Sequence, residues 1–254
     1  MTEFQVLGIT LTDHSVREAM RKVEVYLHDE KVSTICYITS SGLLTAESSK
    51  ETRDFLENMN LTIAADAEVL KVAKVQTRAR FRETKQNEFL RQFLHRITRE
   101  GGGICLLCEK KEELEKLENG LCSYTPNLNI TGRFALSEYP QNEDSMINEI
   151  NVLAPKYLIS NLESPVREAF FSEHHMKMHA EIWLILKHDM VIENRSPKLW
   201  ERLRSRFAGK ALRRSVDQYV KEEQHRKEEL LKFDTQPIDT EQIERELAKN
   251  REKG

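Results

Sequence analysis

Apolar positions along the first two-thirds of the chain follow two alternating rhythms. Short aliphatic or β-branched runs at residues 34–39, 61–65, 103–108, 129–131, 157–160 and 182–186 read as strands. Between them lie stretches with helical spacing. Residues 48–59 place Phe55 and Met59 four apart, and residues 88–98 put Phe89, Phe93, Leu94 and Ile97 on one stripe. Residues 111–119 form a charged helix that Gly120 is expected to end, and 144–153 form another helix. Strands separated by helical segments predict βαβ units: an α/β, Rossmann-like, mostly parallel sheet with helices on both faces. In such folds ligands bind beyond the carboxyl ends of the strands.

The pattern changes at Pro197. Residues 197–214 carry Lys198, Arg202, Arg204, Arg206, Lys210, Arg213 and Arg214 against one acid, Glu201, with Trp200, Leu203 and Phe207 at helical spacing. This reads as a basic amphipathic helix. Residues 215–254 are polar and mixed in charge, and read as a partly ordered tail. The expected organisation is a Rossmann-like domain over 1–195 and a basic helical appendage with a charged tail over 196–254.

Composition narrows the function classes. The chain has 254 residues, 39% hydrophobic and 32% charged, with a net charge of −3. That balance argues against a globally basic nucleic-acid binder, so no nucleic-acid partner is expected. No apolar run approaches the roughly 20 residues of a spanning helix. Residues 1–12 lack a basic segment followed by an apolar one, so no signal peptide is expected there. The four cysteines sit in or beside apolar runs and read as free thiols of a cytosolic protein.

Several signals carry chemistry, each with a plainer reading beside it. Cys105 and Cys108 are spaced as C-x-x-C, but within an apolar strand they point to opposite faces and read as small buried hydrophobes. His175 and His179 are four apart, as chelation on a helix would need, but they and His174 read as a solvated helical face. The Gly101-Gly102-Gly103 run precedes a strand and reads as a helix-to-strand turn. Asp66 directly follows a predicted strand, where it is either a general base or the N-cap of the next helix. Thr39, Ser40 and Ser41 follow a strand in the same way and either bind a sugar or phosphate or cap a helix. Arg82 and Arg167, each in a loop or at a helix start, could grip a diphosphate with two hydrogen bonds.

The order of these segments, from Phe4 to about Tyr219, resembles the WecG/TagA/CpsF glycosyltransferase family. Val6 to Leu11 sits at the place of its first strand. The Thr39-Ser40-Ser41-Gly42 stretch is similar to its Thr-Ala-Asn-x-Glu, Ala65-Asp66-Ala67 to its Pro-Asp-Gly, and Arg82-Glu83-Thr84-Lys85-Gln86-Asn87 to its Arg-Val-Thr-Gly-x-Asp. Pro165-Val166-Arg167-Glu168 is similar to its Pro-x-Gln-Glu. The resemblance implies transfer of an N-acetylmannosamine-like or related hexose from a UDP-sugar to a polyprenyl-diphosphate-linked acceptor, in cell-surface polysaccharide or teichoic acid synthesis. It implies an inverting reaction without a metal or other cofactor. Asp66 would be the base, and Thr39, Ser41, Arg82, Asn87, Arg167 and Glu168 would bind substrate. Lys198, Arg202, Arg204, Arg206, Arg213 and Arg214 would face an anionic membrane, placing a cytoplasmic protein on the inner face of the cell membrane.

Departures from the family pattern are also legible. Ser41 stands for Asn, Lys85 for Gly, Asn87 for Asp and Arg167 for Gln, and Glu109 and Asn161-Leu162-Glu163 stand where the family has glycines. Lost glycines restrict close backbone approach to phosphates. They support an alternative: an inactive relative acting as a binding or partner subunit in glycan assembly, beside a motif-complete paralogue.

Overall fold

The computed structural model describes residues 2–29, 31–75, 77–188 and 199–234, with side chains of the last helix described over 207–228. It opens with an antiparallel hairpin, β1 (Thr2–Val6) and β2 (Ile9–Asp13), in which Val6 pairs with Ile9. The two turn residues, Leu7 and Gly8, have φ of 53° and 78°. Positive φ at both positions gives the turn whose twist matches that of the flanking strands. The first strand expected over Val6 to Leu11 is therefore a turn between two strands. The sequence pattern concealed this because Leu7 is buried and reads as a strand residue.

The chain then runs through α1 (Val16–Tyr26), β3 (Ser33–Ile38), α2 (Ser40–Ser48), α3 (Lys50–Glu57), β4 (Leu61–Ala64), α4 (Ala67–Val72), α5 (Arg78–Lys85) and α6 (Glu88–Glu100). It continues with β5 (Ile104–Cys108), α7 (Lys111–Tyr124), β6 (Ile130–Ala135), α8 (Glu143–Val152), β7 (Tyr157–Ser160), α9 (Val166–His174), β8 (Ile182–Ile185) and α10 (Leu199–Asp234). β3 to β8 form one six-stranded sheet in the order β4-β3-β8-β7-β5-β6, with every neighbouring pair parallel. Connections run one way from β3 to β4 and the other way from β5 to β6, so the sheet is doubly wound, as expected for a Rossmann-like fold.

Side-chain alternation along each strand feeds two cores. Ile35, Tyr37, Ile63, Leu106, Ile159 and Leu184 pack with Val23 of α1, Phe93 and Leu94 of α6 and Leu117 of α7. On the opposite face Trp183 meets Phe170 and Phe171 of α9, and Phe171 meets Phe55 of α3, with ring centroids 5.1–6.0 Å apart. The Trp183 indole donates to Ser160 Oγ at 2.8 Å, satisfying its one polar atom in this core.

Four local expectations change. The helix expected over 48–59 is two helices, because Ser49 is extended (φ −114°, ψ 118°) and caps α3 through Thr52 N. The helix after β5 runs through Gly120 to Tyr124, since Leu117 and Leu121 continue its buried stripe and Thr125 ends it. Burial of that stripe outweighs the roughly 1 kcal/mol that an internal glycine costs. Arg82 lies inside α5 rather than in a loop. His174 is fully buried at the end of α9, not on a solvated face, while His175 opens a 3₁₀ turn, so His175 and His179 share no helix. The expected glycine turn is present: Gly101, at φ 65°, caps α6 in the left-handed conformation.

The basic segment is helical, and α10 extends past Ser215 to Asp234. By contact the chain forms two compact units, Met1–Ser215 and Val216–Gly254. In the first, α10 seats on the start of α4. Leu212 is fully buried, Arg213 pairs with Glu68, and a Cβ at Gly209 would collide with the Glu68 side chain. In the second, residues 216–228 are polar and largely exposed, with Arg226 paired to Glu223 at 3.3 Å. Among the described residues, no helix is long and apolar enough to cross a membrane.

Candidate active site

β3 and β4 are neighbours, so their carboxyl ends deliver two helix starts side by side. Thr39 caps α2, its Oγ1 accepting from Gly42 N at 2.9 Å and lying 3.0 Å from Ser41 Oγ. Asp66 caps α4. Its Oδ1 accepts from Glu68 N (3.0 Å), Val69 N (3.1 Å) and Ser40 Oγ (2.6 Å), and its Oδ2 from Ser40 N (2.9 Å). One carboxylate therefore ties the two helix starts together. Ser40 is buried, Thr39 and Asp66 are half-buried, and Ser41 is exposed. Both capping readings hold in the structure. A cap does not use up the group: Oδ2 takes one bond and has lone-pair capacity for a second.

A second cluster follows β7. Arg167 and Glu168 open α9 and pair with each other, and the guanidinium lies 4.8 Å from the Phe55 ring centroid. Glu168 is buried, with its side chain only 3% exposed. Arg167 Nε, Glu168 Oε2 and Asn161 Oδ1 are buried without a hydrogen-bond partner among the described residues. Buried polar atoms are normally satisfied, so three orphans within eight residues mark a place where a polar ligand would find partners. The Ser164–Pro165 bond between them is cis. Burial raises the Cys36 thiol to about 11, and the charges of Arg167 and Glu168 also act on it. This sets the pair near β3, the strand that leads to Thr39.

The remaining predicted residues separate. Arg82 is exposed on α5, with no hydrogen-bond or ion-pair partner among the described residues. Asn87 begins α6 in the left-handed conformation (φ 49°), and its side chain makes no capping bond. It lines a narrow cleft, partly open to solvent, with His14, Tyr37, Arg80, Glu83 and Thr84. The buried arginine of this region is Arg80. Its Nε and Nη2 bind Asp13 at 3.0 and 2.7 Å, and Nη1 binds Glu83. Two carboxylates against one guanidinium leave the cleft with surplus negative charge. Burial and Lys22 push the His14 imidazole below its usual range, against the opposing pull of Glu18 and Asp13, and its Nδ1 has no partner among the described residues.

Arg80, Asp13 and His14 escaped the sequence reading. Three arginines alternate at 78, 80 and 82, and only burial distinguishes the middle one. Asp13–His14 at the end of β2 was the available signal, hidden while β1 and β2 were read as one strand. Of the basic residues expected to face a membrane, Lys198 lies outside the described residues, as do the side chains of Arg202, Arg204 and Arg206. Arg213 pairs with Glu68, and Arg214 is exposed. The C-x-x-C thiols hold no activated sulfur: both are fully buried, and burial raises Cys105 and lifts Cys108 to about 12.

A sequence profile described as the Glycosyl transferase WecG/TagA/CpsF family matches residues 4–187, which include both clusters and the cleft. No curated protein matches the chain.

Proposed function

The chain belongs to the WecG/TagA/CpsF glycosyltransferase family, and on that premise we propose that it moves a hexose of the N-acetylmannosamine type from a UDP-sugar to a polyprenyl-diphosphate-linked acceptor. The observation that carries this reading is the pairing of Asp66 with the Thr39–Ser41 helix start at the carboxyl edge of adjacent strands. An acceptor hydroxyl approaching the free side of Asp66 Oδ2 gives up its proton there as its oxygen attacks the anomeric carbon. The bond to the UDP oxygen breaks on the opposite side, so the configuration inverts. The leaving diphosphate needs positive charge and N–H donors. Arg167 and the start of α2 supply them in this reading.

The basic start of α10 suits a lipid-linked acceptor. Phe207 on this helix is 68% exposed, an apolar anchor among basic residues. Each basic residue near an anionic surface contributes about 1 kcal/mol. The pairing of Arg213 on α10 with Glu68, two residues from Asp66, supports a membrane-facing element beside the site.

A second reading, an inactive relative, is favoured by one observation. Asp66 is already held by four hydrogen bonds from its own and the neighbouring helix start, three of them from backbone N–H groups. The deciding experiment is a transfer assay with UDP-N-acetylmannosamine and a short polyprenyl-diphosphate glycolipid. The enzyme reading expects multiple turnovers that Asp66→Asn reduces roughly 100- to 10,000-fold, while the variant keeps its fold because Asn also caps helices. Unchanged turnover in the variant removes Asp66 as base. Absence of turnover with every UDP-sugar supports the inactive relative.

A further inference from the structure

Away from both clusters, α8 and α9 bring together a set of side chains that neither the family nor the proposed reaction uses. His174 at the end of α9 is fully buried, and its Nε2 lies 2.7 Å from Glu143 Oε2 and 3.9 Å from Glu173 Oε1. The three atoms all fall within 4.8 Å of one another. They line an open mouth at the surface together with Asp144 and Asn142.

We propose that Glu143, Glu173 and His174 bind one divalent transition cation, best matched by zinc, which ties the last turn of α9 to the first turn of α8. Three features point to a ligand. First, the donor set of one imidazole and two carboxylates suits zinc, with bonds of about 2.0–2.2 Å. Tetrahedral bonds of that length put ligand atoms roughly 3.4 Å apart. The distances of 2.7 and 3.9 Å straddle this value, and the two glutamates, with side chains 39% and 67% exposed, are free to adjust.

Second, His174 Nδ1 is buried without a hydrogen bond and lies 3.8 Å from Asp144 Oδ1. Ligating histidines hold their second nitrogen against a carboxylate, which orients the ring and strengthens the donor. Closing that gap by about 1 Å completes this arrangement and satisfies an otherwise orphaned atom. Third, the charges are unbalanced. Lys177 offsets Asp144 at 2.6 Å, but Glu173 sits at the carboxyl end of α9, where the helix dipole disfavours an acid. A cation there relieves the mismatch. The fourth position faces the mouth and is open to water. Because α9 begins with Arg167 and Glu168, the ion would brace the helix that carries them.

The test is calorimetric titration of the full chain, stripped with chelator, with zinc chloride alone, and in parallel with magnesium chloride. One saturable zinc site is expected, with magnesium absent from it because magnesium prefers all-oxygen ligands. Glu143→Gln and Glu173→Gln, both surface changes that preserve the fold, should each weaken zinc at least about tenfold. Zinc should raise the unfolding midpoint of the wild type by several degrees and that of each variant by less. Both variants keep all four cysteines, so binding to thiols would persist in them. The proposal is overturned by the absence of a saturable site, by zinc affinity in both variants equal to that of the wild type, or by magnesium binding as tightly as zinc.

Discussion

Asp66 shows how one residue can carry two roles that sequence leaves undivided. Its position after a strand is legible, and so is its fitness as a cap. The partner that joins the two roles, Ser40, is a long-range contact 26 positions away, invisible to local pattern. Arg167 and Glu168 were legible as polar residues at a helix start, but their mutual pairing and burial depend on how Phe55 and the aromatic core close over them. His14 yields a prediction at this scale. Its folded pKa is depressed chiefly by burial, so the unfolded chain binds a proton that the folded one resists. Stability from this group is present above the unfolded value near 6.5 and falls as pH drops below it. Denaturant unfolding at pH 7.5 and 5.5 should show a smaller loss of stability in His14→Gln than in the wild type. An equal loss in both would assign the acid sensitivity to other groups.

At the scale of elements, strand runs were read correctly wherever burial on both faces makes a continuous apolar string, as in β3, β5, β7 and β8. The errors fall where one residue changes the geometry without changing the pattern: Gly8 turning a hairpin, Ser49 breaking a helix, Gly120 failing to break one. α10 is the most informative element. Its docking uses Leu212, Arg213 and the bare backbone of Gly209, and Phe207 stays exposed. The pairing of Arg213 with Glu68 lowers the Glu68 carboxyl against an opposing effect of burial, together with Lys71. At the surface such a pair contributes at most about 1 kcal/mol, so the buried Leu212 is the firmer anchor. Membrane contact through this element predicts that the protein co-sediments with anionic vesicles at low salt and releases as sodium chloride rises, with Phe207→Asp binding more weakly. Binding that ignores both salt and the substitution would separate the basic helix from any membrane role.

For the molecule as a whole, the doubly wound sheet places Thr39, Ser41, Asp66, Arg167 and Glu168 after the carboxyl ends of β3, β4 and β7, and that placement was readable from the order of strands alone. What could not be read is how the candidates divide. Thr39, Ser41 and Asp66 gather at one helix pair, Arg167 and Glu168 pair at the start of α9 against Phe55 of α3, and Asn87 lines a separate cleft with Arg80. Burial sorts these groups, and burial depends on contacts between distant segments. The central claim is that the Arg167 guanidinium, whose Nε is buried without a partner among the described residues, and the start of α2 receive a nucleoside diphosphate. Calorimetric titration with UDP, with uridine as control, tests it directly. The account predicts saturable UDP binding that weakens at least about tenfold in Arg167→Ala, since a hydrogen bond to a charged group contributes about 1.5–3 kcal/mol, and far weaker binding of uridine. No heat at millimolar UDP, or equal affinity for UDP and uridine, would contradict it.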